Sequence, residues 1–221
     1  KSDDKIKCWG NISEDPFDGI EVNSIATTYS TSHLCATKKQ DNSIICTGSD
    51  FNSQINNVSV KHLFSPHSHI TCVLKVDNTA ECSGDFPEDS QVDQALAVKK
   101  IASGEAYACA ISFEDKLRCF GDNTYNQRTG NESNPLVTEK IKDLSLGNRF
   151  ACATKNSGEV ACWGQEIWGS LTPPEGLFSK TLILGSSHAC AIKESDKTVV
   201  CWGYNAEGQR DVPENLGATY D

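Results

Sequence analysis

Eleven cysteines carry the chemistry that this 221-residue chain advertises most clearly. A thiol can attack as a nucleophile, ligate a metal or oxidise to a disulfide, and spacing separates the three. Ten of the cysteines form five pairs: Cys35/Cys46, Cys72/Cys82, Cys109/Cys119, Cys152/Cys162 and Cys190/Cys201, with internal steps of 11, 10, 10, 10 and 11 residues. Structural zinc sites use close Cys-x-x-Cys pairs, which do not occur here, and His33, His62, His67, His69 and His188 do not complete a Cys₂His₂ pattern. Reduced, buried thiols would not recur in pairs at one spacing. The pairs are therefore read as disulfides, which places the chain in an oxidising compartment. Nothing in the sequence sets a base beside the remaining Cys8, and no Gly-x-Ser-x-Gly, phosphate-cradling loop or His-Glu-x-x-His motif is present. Carboxylates such as Glu114/Asp115 and Glu194/Asp196 sit in turn-like stretches, where solvation explains them. The expectation is a non-catalytic protein with no catalytic residue, no metal and no cofactor.

The elements that position these cysteines repeat. The second cysteine of each pair opens a short stamp: Cys46-Thr47-Gly48, Cys82-Ser83-Gly84, Cys119-Phe120-Gly121, Cys162-Trp163-Gly164 and Cys201-Trp202-Gly203, with Cys8-Trp9-Gly10 as a sixth copy. The stamped cysteines are 38, 36, 37, 43 and 39 residues apart, a period typical of arrays whose units bury their apolar faces against one another. Within a unit the grammar is three β-rich runs separated by turns, as in Leu182–Leu184, His188–Ile192 and Thr198–Gly203. A disulfide across the second turn needs directly opposed positions with Cβ atoms about 4 Å apart, which antiparallel pairing supplies. The ring two residues before the first cysteine (His33, Tyr107, Phe150, His188) shares its strand face and is read as packing, since Tyr and Phe take the same slot. The stamp glycines are expected at sharp turns with positive φ or a close backbone neighbour. Gln54, Gln91, Gln127 and Gln209 end the following loops, where an amide can satisfy loose backbone groups.

The last unit, Cys201-Trp202-Gly203-Tyr204-Asn205-Ala206-Glu207-Gly208-Gln209 preceded by His188-Ala189-Cys190-Ala191-Ile192, resembles the repeat of the regulator of chromosome condensation family. More narrowly it is similar to the cysteine-paired secreted branch, seen in ectodomains of crinkly-type plant receptor kinases and in bacterial and protist secreted proteins. Departures exist: Thr47 and Ser83 replace the stamp aromatic, Leu171 to Pro174 replaces a loop end, and the first unit lacks Gly-Gln. The resemblance implies an all-β fold, a six-bladed β-propeller with one disulfide per blade and four short strands in each. Residues 1–221 then form one domain, with seven blades if the native chain is longer. Guanine-nucleotide exchange, a property of intracellular members, is not implied.

A net charge of −10 repels phosphate backbones and anionic headgroups, so nucleic acid is not an expected partner. No apolar run reaches the roughly 18 residues of a membrane span. The sequence shows no signal peptide and holds no Met, as expected of a processed or excised product, which leaves room for a secretory leader upstream. The expected address is extracellular, secreted or at the cell surface. Loops after the stamp should emerge on one face, each with an aromatic: Phe17, Phe51, Phe86, Tyr125, Trp168 and Tyr204. Two readings stand for these rings, core filling between blades or a circular binding surface for protein or glycan, with Tyr125, Trp168 and Tyr204 the best placed for exposure. Asn11, Asn57 and Asn131 head glycosylation triplets, and the long step around Arg128 to Glu139 is expected to protrude. Cys8 has three answers: a longer native chain, non-covalent closure by residues 211–221, or pairing with another chain. The first functional reading is an extracellular recognition or adhesion module. The alternatives are a structural subunit of an extracellular assembly, self-associating through Cys8 or the open first blade, and a secreted enzyme inhibitor, by analogy with a bacterial propeller that blocks beta-lactamases.

Overall fold

The computed structural model describes residues 17–27, 34–47, 58–64, 70–84, 97–128 and 139–213. Among the described residues there are fifteen strands and no helix. They are β1 (Val22–Thr27), β2 (Leu34–Lys38), β3 (Ile44–Thr47), β4 (Val60–Phe64), β5 (Ile70–Lys75), β6 (Ala80–Gly84), β7 (Val98–Ser103) and β8 (Tyr107–Ser112). The rest are β9 (Leu117–Gly121), β10 (Ile141–Leu146), β11 (Phe150–Lys155), β12 (Val160–Gly164), β13 (Ser179–Leu184), β14 (His188–Lys193) and β15 (Val199–Gly203). Consecutive triplets form five antiparallel sheets, one per cysteine pair. Two expectations are corrected here. The described residues build five sheets rather than six, and each sheet has three strands rather than four. The sixth unit, around Cys8, lies outside the described residues.

Register explains the disulfides. The second and third strands of each sheet pair so that Cys35 faces Cys46, Cys72 faces Cys82, Cys109 faces Cys119, Cys152 faces Cys162 and Cys190 faces Cys201. All five pairs are bonded, with Cα atoms 4.0–4.1 Å apart. Each first strand carries a bulge near its start, placing Asn23, Lys61, Lys99, Lys142 and Lys180 out of register with the second strand. A bulge increases local twist, which suits sheets that must splay from a common centre.

The core is a series of layers between successive sheets. One layer joins Cys109, Tyr107 and Ile111 of the third sheet to Ile141, Leu144 and Leu146 of the fourth. The next joins Phe150, Cys152 and Val160 of the fourth to Leu182, Leu184 and Ala191 of the fifth. Similar layers bring Cys72 against Ile101, and Cys35 against Val60. The first four disulfides therefore face the sheet that follows. Backbone bonds reinforce the same junctions: the amides of Val60, Val98, Ile141 and Ser179 donate to the carbonyls of Asn42, Asn78, Asp115 and Gly158 at 2.8–2.9 Å. Those four acceptors are the positive-φ residues of the hairpin turns, and Asn, Asp and Gly are the types that tolerate that region. Among the described residues, contacts between sheets run in chain order from the first to the fifth.

Candidate binding face

Antiparallel pairing sends the turn between first and second strands, and the loop after the third strand, to the same end of every sheet. The stamp glycines lock these two segments together. Gly121, Gly164 and Gly203 have φ of 98°, 110° and 96°, and a Cβ there would lie 2.5–2.6 Å from the carbonyl oxygens of Ala106, Arg149 and Ser187. The next residue then donates its amide to that same oxygen: Asp122 to Ala106 at 2.7 Å, Gln165 to Arg149 at 2.8 Å, Tyr204 to Ser187 at 2.9 Å. The stamp tryptophans fasten the preceding loop. Trp163 Nε1 donates to the Gln127 carbonyl at 2.7 Å, and Trp202 Nε1 to the Ser170 carbonyl at 3.0 Å.

The loop-ending amides act as backbone surrogates. Gln127 is buried; its Oε1 accepts the Tyr125 amide at 2.7 Å and its Nε2 donates to Asp122 at 3.0 Å. Gln209 accepts the Glu207 amide in the same way. Where the fourth loop lacks Gln, Ser170 Oγ accepts the Ile167 amide at 3.1 Å instead. Gln54 and Gln91 lie outside the described residues.

On these braced loops two aromatic features stand. Between the third and fourth sheets a cleft of about 440 Å³ is lined by Glu105, Asp122, Thr124, Tyr125, Gln127 and Arg149. The Arg149 guanidinium lies 5.1 Å from the centre of the Tyr125 ring and donates to Glu105 at 3.0 Å. The Glu105 carboxylate, through its hydrogen bond and charge, raises the Arg149 pKa above its ordinary value. Further round, Trp168 is 73% exposed, and its ring centre lies 6.0 Å from that of Tyr204 with the planes tilted by 51°. Trp168 has a φ of +56°, rare for a bulky residue. The turn holds it there: Glu166 accepts the amides of Gly169 at 2.6 Å and Leu171 at 3.1 Å.

Counted from the stamp glycine, Tyr125 and Trp168 share a position and Tyr204 comes three residues earlier. Tyr125 and Tyr204 are half-buried, and Phe17 is fully buried as core. Phe51, Phe86, His33, Cys8 and the three acceptor residues Asn11, Asn57 and Asn131 lie outside the described residues, as do residues 129–138 of the segment expected to protrude. His188 packs under Gly185 beside the fifth disulfide, and burial lowers its pKa. Arg149 and Glu105 went unnoticed in the sequence. They come from short turns, Glu105-Ala106 and Asn148-Arg149, that carry no periodic signal.

Fold and face together define a class: an all-β array of propeller-type blades, each pinned by its own disulfide. Residues 98–127 and 184–209 match the regulator of chromosome condensation (RCC1) repeat, and each matched stretch contains one of the disulfide-bonded pairs. No curated protein sequence matches it. Among solved structures it is similar to the crinkly ectodomain of the Arabidopsis thaliana receptor kinase ACR4, at 23% identity and TM-score 0.65 over 84% of this chain and 64% of that one. The ectodomain of the Physcomitrella patens receptor kinase CR4 superposes with TM-score 0.70 at 16% identity, over 88% of this chain and 55% of that one. Prp20p of Saccharomyces cerevisiae, solved in a study of its binding to Gsp1p and histones, gives 0.64 at 12% identity over 85% and 58%. The chain thus spans less than two thirds of the length of each of these structures.

Proposed function

We propose that this protein is an extracellular, non-catalytic recognition module that binds another protein through the loop end of its third to fifth sheets. The observation that carries the reading is the presentation of Trp168: exposed, held at positive φ by a hydrogen-bonded turn, and set beside Tyr204. Backbone strain and solvent exposure both work against such a tryptophan, and strained residues cluster at functional sites. Trp, Tyr and Arg are the residue types that dominate protein interface hot spots, and Arg149 and Tyr125 stand on the same end. The five disulfides support an oxidising address, since such bonds persist outside the reducing cytosol. The two plant receptor ectodomains of similar fold are consistent with that address.

The test compares the wild-type chain with Trp168→Ala and Tyr204→Ala on a panel of extracellular protein domains and on a glycan array. Trp168→Ala should weaken a protein contact by roughly 2 kcal/mol, about thirtyfold. It should leave folding stability within about 0.5 kcal/mol, as exposed positions do. Binding that survives both substitutions removes the face from consideration. Binding to glycans alone replaces the protein partner with a sugar.

A further inference from the structure

Two neighbouring junctions of the loop end set an aromatic ring at the same place in the chain and treat it differently. Tyr125 and Trp168 each stand four residues after a stamp glycine, in the loops that follow the third and fourth sheets. At the first of these junctions the chain supplies its own cation. Arg149, from the turn of the fourth sheet, lies 5.1 Å from the Tyr125 ring centre and is anchored by the Glu105 carboxylate at 3.0 Å. Arg149 comes one residue before Phe150, and Glu105 two residues before Tyr107. At the next junction those two turn positions hold Ser187, before His188, and Asn148, before Phe150. Neither side chain is charged.

Trp168 is nevertheless held where a cation can reach it. It is 73% exposed, whereas Tyr125 is half-buried. Among the described residues its ring neighbour is Tyr204, 6.0 Å away and tilted by 51°. Tilted rings leave part of each π face uncovered, and a π face attracts positive charge. Glu166 accepts the amides of Gly169 and Leu171, which keeps its carboxylate in the same turn as Trp168. The two loops, 165–171 and 204–212, carry Glu166, Glu207 and Asp211 against one cation, Arg210. These surroundings favour an incoming positive group and oppose a carboxylate.

We infer that the Trp168–Tyr204 site takes an arginine side chain of the partner; this rests on the protein-binding role proposed above for the loop end. The partner's guanidinium covers Trp168 as Arg149 covers Tyr125, and Glu166 takes the part that Glu105 plays for Arg149. A planar, weakly hydrated guanidinium lies flat on a ring better than an ammonium does, so lysine binds the same site more weakly. The chain answers its own ring at one junction and leaves the ring of the next to the ligand.

NMR titration of the Trp168 indole N–H on the full chain tests this, with three end-blocked tripeptides as probes: Gly-Arg-Gly, Gly-citrulline-Gly and Gly-Glu-Gly. Trp168→Ala assigns the resonance, and the buried indoles of Trp163 and Trp202 serve as internal controls. The arginine peptide should shift Trp168 saturably and leave the two controls in place. The citrulline peptide, of the same shape without the charge, should bind at least about fivefold more weakly, and the glutamate peptide most weakly of all. Equal binding of the arginine and citrulline peptides overturns the inference, and so does the absence of any shift. In either case the protein-binding role stands if Trp168→Ala still weakens capture of an extracellular domain. An arginine-selective shift in a chain that captures no domain keeps the site and removes that role.

Discussion

Gly164 answers to two constraints at once: a φ of 110°, and a neighbouring carbonyl that would lie 2.5 Å from any added Cβ. The clashing oxygen is backbone, so no side-chain rotation relieves it. Gly164→Ala should therefore cost roughly 2–3 kcal/mol, read by urea denaturation. Trp163, one residue earlier, donates its ring N–H to the Gln127 carbonyl in a buried setting. Trp163→Phe keeps most of the apolar area and loses the donor, leaving that carbonyl unpaired. The expected loss is about 1–2 kcal/mol in the same measurement. Phe120 occupies the equivalent position of the third sheet, so the ring itself suits the slot.

Each hairpin combines a bridge with a capped turn. The loop between Cys152 and Cys162 spans 10 residues, and in the chain-entropy account closing such a loop contributes about 2–3 kcal/mol. The paired substitution Cys152→Ala/Cys162→Ala should lower stability by at least that much, because Cys152 also fills the layer against the fifth sheet. At the far end, the turn carboxylates of Asp41, Asp77 and Asp196 accept hydrogen bonds from Ser43, Thr79 and Thr198. Those bonds hold their pKa values below the ordinary 3.8. A group with a depressed folded pKa contributes its stability above the unfolded value and loses it as pH falls through the folded one. Thermal stability should therefore decline as pH drops below about 4, and Asp77→Asn should flatten its share of that decline. A melting profile unchanged by Asp77→Asn would remove that turn from the acid response.

Across the array, stability is organised by junctions. Tyr107 spans one, its buried hydroxyl donating to the carbonyls of Gly147 at 3.2 Å and Phe150 at 2.5 Å in the next sheet. Trp202 serves the following junction through Ser170. When each unit contacts only its neighbours, energies add by junction. Tyr107→Phe should cost about 1–1.5 kcal/mol. Combined with Trp202→Phe, the effects should sum to within about 0.5 kcal/mol, as a double-mutant cycle would show. A larger coupling would mean that strain passes through whole sheets.

Spacing alone sufficed for the hairpins and their bridges. Partners 10 or 11 residues apart meet through one local turn, so Cys109 and Cys119 announce their contact without reference to the rest of the chain. The stamp glycines and the Gln127 amide were legible for the same reason: their work is done within one unit and its adjoining loop. The binding face was legible only in part. Trp168 and Tyr204 stood out as aromatics in polar loops, but their approach to 6.0 Å joins two different loops. Arg149 reaches Tyr125 and Glu105 across a junction between sheets, and no period marks a residue chosen for a neighbour 24 or 44 positions away. Phe17 shows the opposite limit, since a ring's burial depends on which surfaces fold over it. Local pairing is written in short separations along the chain, whereas the meeting of one unit's loop with the next unit's turn exists only once the sheets have stacked.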